Sequence, residues 1–288
     1  MKKLLFLQDP GASAGKAFAA AATELPSWQI LAGDEPDGCN ALITVNLPVG
    51  SRQMEAMSGG IVSTAFTGYD HIDLKAAAEW GVAVSNVPGY SSRSVAELAF
   101  ALSIMSLRDP RLEHGRELCG KTVGIIGTGS IGFASAGLFR AASCEVLGFS
   151  RSEKPGFPGK YTDLEFLLRK SDVVSLHLPL TRETEHFMDS EKLGMMKRGA
   201  ILVNTARGAL VNQIKLQELL LSGSLGGAGL DVTTPEPLPQ SNILHRIPGV
   251  VITPHTGFNT VEALERRTVE ALRNVAAWDR GERRNRVD

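Results

Sequence analysis

Lys121-Thr-Val-Gly-Ile-Ile-Gly127-Thr-Gly129-Ser-Ile-Gly132 is the stretch that decides the fold. Val123, Ile125 and Ile126 are the apolar, β-branched residues that a buried parallel strand favours, and they run straight into a glycine turn. Gly127 allows the tight turn, Gly129 lets a pyrophosphate approach the backbone, and Gly132 lets the next helix pack closely on the strand. That helix, predicted from Ser130 to Ala142, aims its free N–H groups and positive dipole end at the phosphates. Three glycines alone would say little in a chain that has 30 of them, but strand and helix flank them as the mechanism requires. A dinucleotide is the expected ligand.

The next strand indicates which dinucleotide. Glu145-Val-Leu-Gly-Phe149 follows the helix, and the position that meets the adenosine ribose lies at the strand's C-terminal end. An Asp or Glu there holds the ribose 2′-hydroxyl of NAD, whereas an arginine accommodates a 2′-phosphate. This chain has Ser150-Arg151-Ser152 at that end, with Lys154 close behind, while Glu145 falls at the wrong end of the strand. NADP is therefore expected ahead of NAD.

A length of 288 residues, 43% of them hydrophobic, allows one large or two moderate domains with sizeable cores. Thirty basic residues against 31 acidic leave a net charge of −1, which implies no polyelectrolyte partner. The basic run Arg280 to Arg286 reads as a solvated tail rather than a nucleic-acid arm. Cys39, Cys119 and Cys144 are odd in number, widely spaced and in no metal-ligand pattern, so a reducing, cytoplasmic setting is expected and no metal. The opening Met1-Lys-Lys-Leu-Leu-Phe-Leu is too short an apolar run for a secretory signal and reads as a first strand. No segment approaches the ~18 uninterrupted apolar residues that would span a membrane.

Strand-like and helix-like segments alternate throughout, the signature of parallel sheets covered by helices. Strands are predicted at 4–7, 29–31, 41–45, 61–65 and 82–84, then at 123–126, 145–149, 173–177, 200–204, 227–231 and 250–253. Helices are predicted at 12–24, 74–80, 94–107, 130–142, 164–169, 190–196 and 213–221. A last one, 261–278, is amphipathic and lies beyond the final strand, free to return to the first domain.

Polar residues follow the C-terminal ends of three strands, where ligands bind in open α/β sheets: Asn204-Thr-Ala-Arg207, Asp231-Val-Thr-Thr-Pro-Glu236 and Thr253-Pro-His255. That set suits carbonyl reduction, which needs a proton donor and positive charge near the developing alkoxide. His255 can donate the proton, Glu236 can orient the imidazole and raise its proton affinity, and Arg207 can fix a carboxylate and polarise the carbonyl.

The ordered set Thr67-Gly-Tyr-Asp-His-Ile-Asp-Leu, Gly127-Thr-Gly-Ser-Ile-Gly, His177-Leu-Pro-Leu-Thr, Asn204-Thr-Ala-Arg-Gly, Leu230-Asp-Val and Thr253-Pro-His-Thr-Gly resembles the D-isomer-specific 2-hydroxyacid dehydrogenases over nearly the whole chain. The resemblance implies two flavodoxin-like, Rossmann-like α/β domains with parallel sheets, the NAD(P)-binding domain (95–260) inserted into the substrate domain (1–94 with 261–288), and an active site in the cleft. It makes Arg207 the substrate arginine, His255 the acid-base and Glu236 its partner. Asp231 matches the residue at the nicotinamide end. The backbone of Thr67, Gly68 and Tyr69 matches the loop that holds the substrate carboxylate, and Tyr90 stands where some members line the pocket and where plain packing would serve as well. Further cofactor contacts implied by the matched motifs are Ser130, Ile131, Leu178, Pro179, Thr205, Ala206, Gly257 and, beside its acid-base role, His255.

Two departures matter. Ser150 replaces the family's NAD-binding aspartate, as in the NADP-using glyoxylate and hydroxypyruvate reductases. The connection from Arg108 to Gly120 is shorter than the stretch that carries part of the family's dimer contact, which bears on the size of an expected homodimer interface. The expected activity is NADP-dependent interconversion of a small 2-oxo acid and its D-2-hydroxy acid. A nucleotide-sensing corepressor-like binding protein is the alternative from another class, although no peptide-binding extension is visible. Formate oxidation would call for glutamine where Glu236 stands; oxidation of phosphite, or a reductive step in phosphonate metabolism, stays open because pocket walls are not readable from one sequence.

Overall fold

In the computed structural model, which describes residues 1–7 and 14–288, the strands of two sheets all run parallel to their neighbours. The chain divides into two compact units, 1–91 with 260–288, and 92–259. The first unit contains β1 (Lys3–Phe6), α1 (Ala14–Glu24), β2 (Gln29–Ala32), β3 (Ala41–Thr44), α2 (Ser51–Ala56), β4 (Ile61–Thr64), α3 (Leu74–Glu79) and β5 (Ala83–Ser85). The second opens with α4 (Ser92–Leu107) and continues through β6 (Thr122–Ile126), α5 (Ser130–Ala141), β7 (Glu145–Phe149), β8 (Lys160–Tyr161), α6 (Leu164–Lys170), β9 (Val173–Leu176), α7 (Ser190–Met195), β10 (Ile201–Asn204), α8 (Gln213–Leu221), β11 (Gly227–Leu230) and β12 (Val250–Ile252). The last helix, α9 (Val261–Asp279), belongs to the first unit. Ala12, where the first helix is predicted to start, lies outside the described residues.

In the first unit the strand order is β2-β1-β3-β4-β5, the flavodoxin-like doubly wound order. Side-chain alternation sorts its two faces. Val62 packs with Met54, Ala76 and Ala77 of α2 and α3, whereas its neighbour Ser63 donates its hydroxyl to the Ala271 carbonyl of α9 at 3.1 Å. The basic C-terminal run is solvent-exposed through Arg284, but it is not a free tail beyond that point. Val287 N–H donates to Val84 O and Asn86 N–H to Asn285 O, so the segment lies along β5 and covers a sheet edge that would otherwise expose unpaired backbone. Three of its arginines are paired, Arg280 with Glu282, Arg284 with Glu270 of α9, and Arg286 with Asp288.

The second unit's order, β12-β11-β10-β9-β6-β7-β8, reverses direction between β6 and β9. In such sheets the crevice outside the strand C-termini at the reversal receives the ligand. Both faces are buried, again by alternation. Val123, Ile125, Val146, Val173, Ile201 and Val203 face Leu102 of α4 and Phe139 of α5, while Ile126, Leu147, Val174, Leu176 and Leu202 face Leu167, Leu193 and Leu216 of α6, α7 and α8. Among the described residues no helix is long and apolar enough to cross a membrane.

The short 108–120 connection folds back onto its own unit. Asp109 is buried, accepts from the Gly249 N–H at 2.9 Å and pairs with Arg111 at 2.5 Å, and Arg111 donates to the His245 and Val250 carbonyls. The Arg111 hydrogen bond, against the opposing effect of burial, holds the Asp109 carboxyl at about 2. A depressed folded-state value contributes stability at pH above the ordinary carboxylate range and loses it as pH falls through about 2, here about 2 kcal/mol. Asp109→Asn is therefore expected to cost about that much in urea unfolding at pH 7, with the gap to wild type narrowing by pH 3. A gap independent of pH would contradict the assignment.

Candidate active site

The glycine turn is built as its sequence predicts. Gly127 has φ +92°, and a Cβ there would lie 2.5 Å from the His177 carbonyl; one at Gly132 would lie 2.0 Å from Gly127 O, whereas one at Gly129 meets open space. Gly129 caps α5 without a side chain, so the N–H groups of Ser130, Ile131 and Gly132 have no acceptor among the described residues. The result is an open, donor-lined concavity beside the sheet reversal. Leu178 and Pro179 follow β9 on the other side of that reversal. His177 hydrogen-bonds Ser175 Oγ at 2.9 Å, and burial pushes its imidazole down to about 4, so it is neutral at pH 7.

Ser150, Arg151 and Ser152 follow the C-terminal end of β7, and Glu145 opens the strand at the opposite end. Arg151 is exposed and helps, behind the Thr181 hydroxyl, to hold the Glu183 carboxyl below its usual range.

The three polar strand ends meet. After β10, Asn204 is buried and folds the loop on itself: its Oδ1 accepts from Ala206 N–H at 3.0 Å and its Nδ2 donates to Arg207 O at 2.9 Å. Arg207 Nη1 donates to Ala206 O. A Cβ on Gly208 would lie 2.1 Å from Thr233 O, so only glycine lets this loop press against the one after β11. There Thr233 N–H donates to Glu236 Oε1 at 3.1 Å, and Glu236 Oε2 lies 3.0 Å from His255 Nδ1. Burial opposes ionisation of Glu236, but the His255 hydrogen bond and charge, the Thr233 N–H and the Arg207 charge outweigh it and hold the carboxyl below its usual range. An ionised carboxylate only accepts, so Nδ1 carries the hydrogen of that contact and Nε2 is the nitrogen left to exchange a proton.

The turn carrying His255 is fixed from beneath. His255 has φ +52°, a left-handed conformation that is uncommon for a non-glycine residue, and its N–H donates to Asp231 O at 2.8 Å. Asp231 is buried. Its Oδ1 accepts from Thr253 Oγ1 at 2.6 Å and Thr256 N–H at 2.8 Å, and its Oδ2 from Gly257 N–H at 2.9 Å. The carboxylate read from sequence as a cofactor contact thus anchors the turn. Gln213, at the start of α8, clamps Thr234 through both its backbone groups, at 2.9 and 3.1 Å. Nothing in the sequence marked Gln213 as a positioning residue, because it acts on backbone 21 residues away that only the fold brings near.

Residues 91–257 match the family model for the NAD binding domain of D-isomer specific 2-hydroxyacid dehydrogenases. The chain belongs to that family. A glyoxylate reductase from Korarchaeum cryptofilum is 36% identical over 268 residues, covering 85% of this chain and 81% of its own length. A solved D-isomer specific 2-hydroxyacid dehydrogenase from Lactobacillus delbrueckii ssp. bulgaricus, in NAD-complexed form, is 28% identical with a TM-score of 0.87 over 100% of both chains. An acyclic imino acid reductase solved with NADPH and D-Arg is 26% identical with a TM-score of 0.86, covering 99% of this chain and 100% of its own.

The second unit of this D-isomer specific 2-hydroxyacid dehydrogenase family member fits a dinucleotide on its own geometry: the unblocked Gly129, the unpaired first-turn N–H groups of α5, and Thr205 Oγ1 after β10, which is buried with no hydrogen-bond partner among the described residues. In the first unit, Thr67 Oγ1 donates to Val87 O and Asn86 Nδ2 to Thr67 O, which fixes the 67–69 loop. The N–H groups of Gly68 and Tyr69 have no acceptor among the described residues. Tyr90 is 4% exposed, packs on the Phe66 ring at 6.0 Å and interacts through its hydroxyl with Arg267 of α9.

Proposed function

We propose that the chain is an NADP-preferring reductase of a small 2-oxo acid, of the glyoxylate or hydroxypyruvate kind, working reversibly on the D-2-hydroxy acid. The observation that carries the proposal is the 3.0 Å contact of His255 Nδ1 with an ionised Glu236 that also feels Arg207. When bound, the nicotinamide supplies or accepts a hydride at the carbinol carbon. His255 Nε2 gives the balancing proton to the carbonyl oxygen in reduction and takes it back in oxidation. Glu236 stabilises the protonated imidazole and keeps the ring aimed. Arg207 binds the substrate carboxylate as a fork and draws charge from the carbonyl; the first unit, taken by itself, offers the N–H groups of Gly68 and Tyr69 as anion donors. The comparison with a glyoxylate reductase supports the substrate class.

Ser150-Arg151-Ser152, in place of a carboxylate after β7, supports NADP over NAD, while relatives have been solved with each. A panel of 2-oxo acids assayed with NADPH and NADH tests both choices. Wild type should favour NADPH, and Arg151→Asp should lower kcat/KM for NADPH by about ten- to a hundredfold while leaving NADH within a few-fold, the loss expected for one charge-assisted phosphate contact. An unchanged cofactor ratio would remove the argument. The three cysteines, all free, support a reducing cytoplasmic setting. A homodimer is the proposed assembly, and exposed Ile104 and Met105 on α4 support a contact there in place of the folded-back 108–120 connection.

A further inference from the structure

The loop that carries Ser150, Arg151 and Ser152 is tied to the glycine turn by one hydroxyl. β8, which returns the loop to the sheet, ends on Tyr161. Tyr161 Oη accepts from the Lys154 N–H at 2.8 Å and donates to Thr128 Oγ1 at 3.0 Å. Thr128 is fully buried between Gly127 and Gly129, the two glycines of the phosphate cradle. The ring itself is held independently of the hydroxyl. It stacks on Phe157 at 4.8 Å, Phe157 meets Phe133 of α5 at 6.1 Å, and a Cβ on Gly148 of β7 would lie 2.5 Å from the Phe157 ring, so β7 leaves the space that ring fills.

We infer that Tyr161 is a positioning residue for cofactor specificity: its hydroxyl couples the pyrophosphate-binding turn to the loop whose cation meets the 2′-phosphate of the adenosine ribose. The inference rests on the NADP reading above and deepens it. Arg151 through Gly156 are exposed, and an exposed arginine on an unanchored loop must lose its freedom each time it binds an anion. A tether at Lys154, three residues beyond Arg151, meets that ordering cost in the free protein. Because the tether's other end is Thr128, the loop is registered against the turn that receives the same nucleotide's phosphates. A merely structural hydroxyl, present only to satisfy buried Thr128, would affect every nucleotide alike.

The test uses the full chain and two probes that differ by one phosphate, 2′,5′-ADP and 5′-ADP, titrated calorimetrically against wild type, Tyr161→Phe and Thr128→Val. Phenylalanine keeps the stack on Phe157 and removes only the hydroxyl, and thermal midpoints confirm that each variant is folded. Wild type should bind 2′,5′-ADP more tightly. Tyr161→Phe should lose about tenfold on 2′,5′-ADP and less than about twofold on 5′-ADP, the loss of one preorganised charge-assisted contact, and Thr128→Val should move in the same direction. Equal losses on both probes, or a preference kept intact in Tyr161→Phe, would overturn the inference and leave the NADP reading standing. A wild type that does not distinguish the probes would overturn both, and that result is visible before any variant is measured.

Discussion

Turnover of His255→Ala is expected to fall by about a thousandfold, within the range for losing a positioned general acid. The substitution removes the proposed Nε2 proton donor and, with it, the hydrogen bond and charge that do most to hold the Glu236 carboxyl down. Affinity for NADPH should stay within about twofold, because the cradle of Gly127, Gly129 and the first turn of α5 is built from other elements. The Asp231 contacts that shape the turn come from Thr253, Thr256 and Gly257, so the backbone around position 255 is retained. Steady-state turnover together with fluorescence titration of NADPH separates the two effects. Wild-type turnover in this variant would exclude His255 as the donor, and loss of NADPH binding would make its role structural.

Arg207→Ala should lower kcat/KM for 2-oxo acids by about a hundred- to a thousandfold, the cost of losing one partner of a partly desolvated ion pair with substrate. The loss should be confined to substrates that carry a carboxylate. Comparing glyoxylate with an uncharged aldehyde of similar size reads this directly, since the proton donor remains and only the anchoring charge is gone. Arg207→Lys should recover little, because an ammonium cannot reproduce the planar fork. Glu236 should also titrate higher in Arg207→Ala, since the Arg207 charge is among the influences that hold its carboxyl down. Equal losses on charged and uncharged substrates would contradict the assignment.

The parts of this architecture that were legible in the sequence are those written in local pattern. The run Val123 to Gly132 declares strand, turn and helix because each needs a different residue type within a few positions, and the structure places them there. Arg207, Glu236 and His255 were legible as a set because each follows a strand, and parallel strands bring their C-terminal ends to one edge. What was hidden is pairwise and long-range. α2 is a single short turn-and-a-half in which only Met54 is buried, and β8 is two residues long, too short to alternate. The C-terminal arginines look like a solvated run until Glu270, Glu282 and Asp288 are seen beside them and β5 is seen to lack a neighbour on that side. Asp231 is the clearest case. Its position after β11 was readable, but its engagement with three donors of the His255 turn depends on a loop that follows a different strand.

Hydride transfer to one face of a 2-oxo acid carbonyl, with a proton supplied to its oxygen, is what the site is proposed to do, and the configuration of the product reports on it most directly. The full chain is incubated with NADPH and hydroxypyruvate, and the glycerate formed is resolved by chiral chromatography. The predicted result is D-glycerate, formed mole for mole with the NADPH consumed. Tight NADPH binding with no reduction of any acid in the panel, or formation of the L-isomer, would contradict the account.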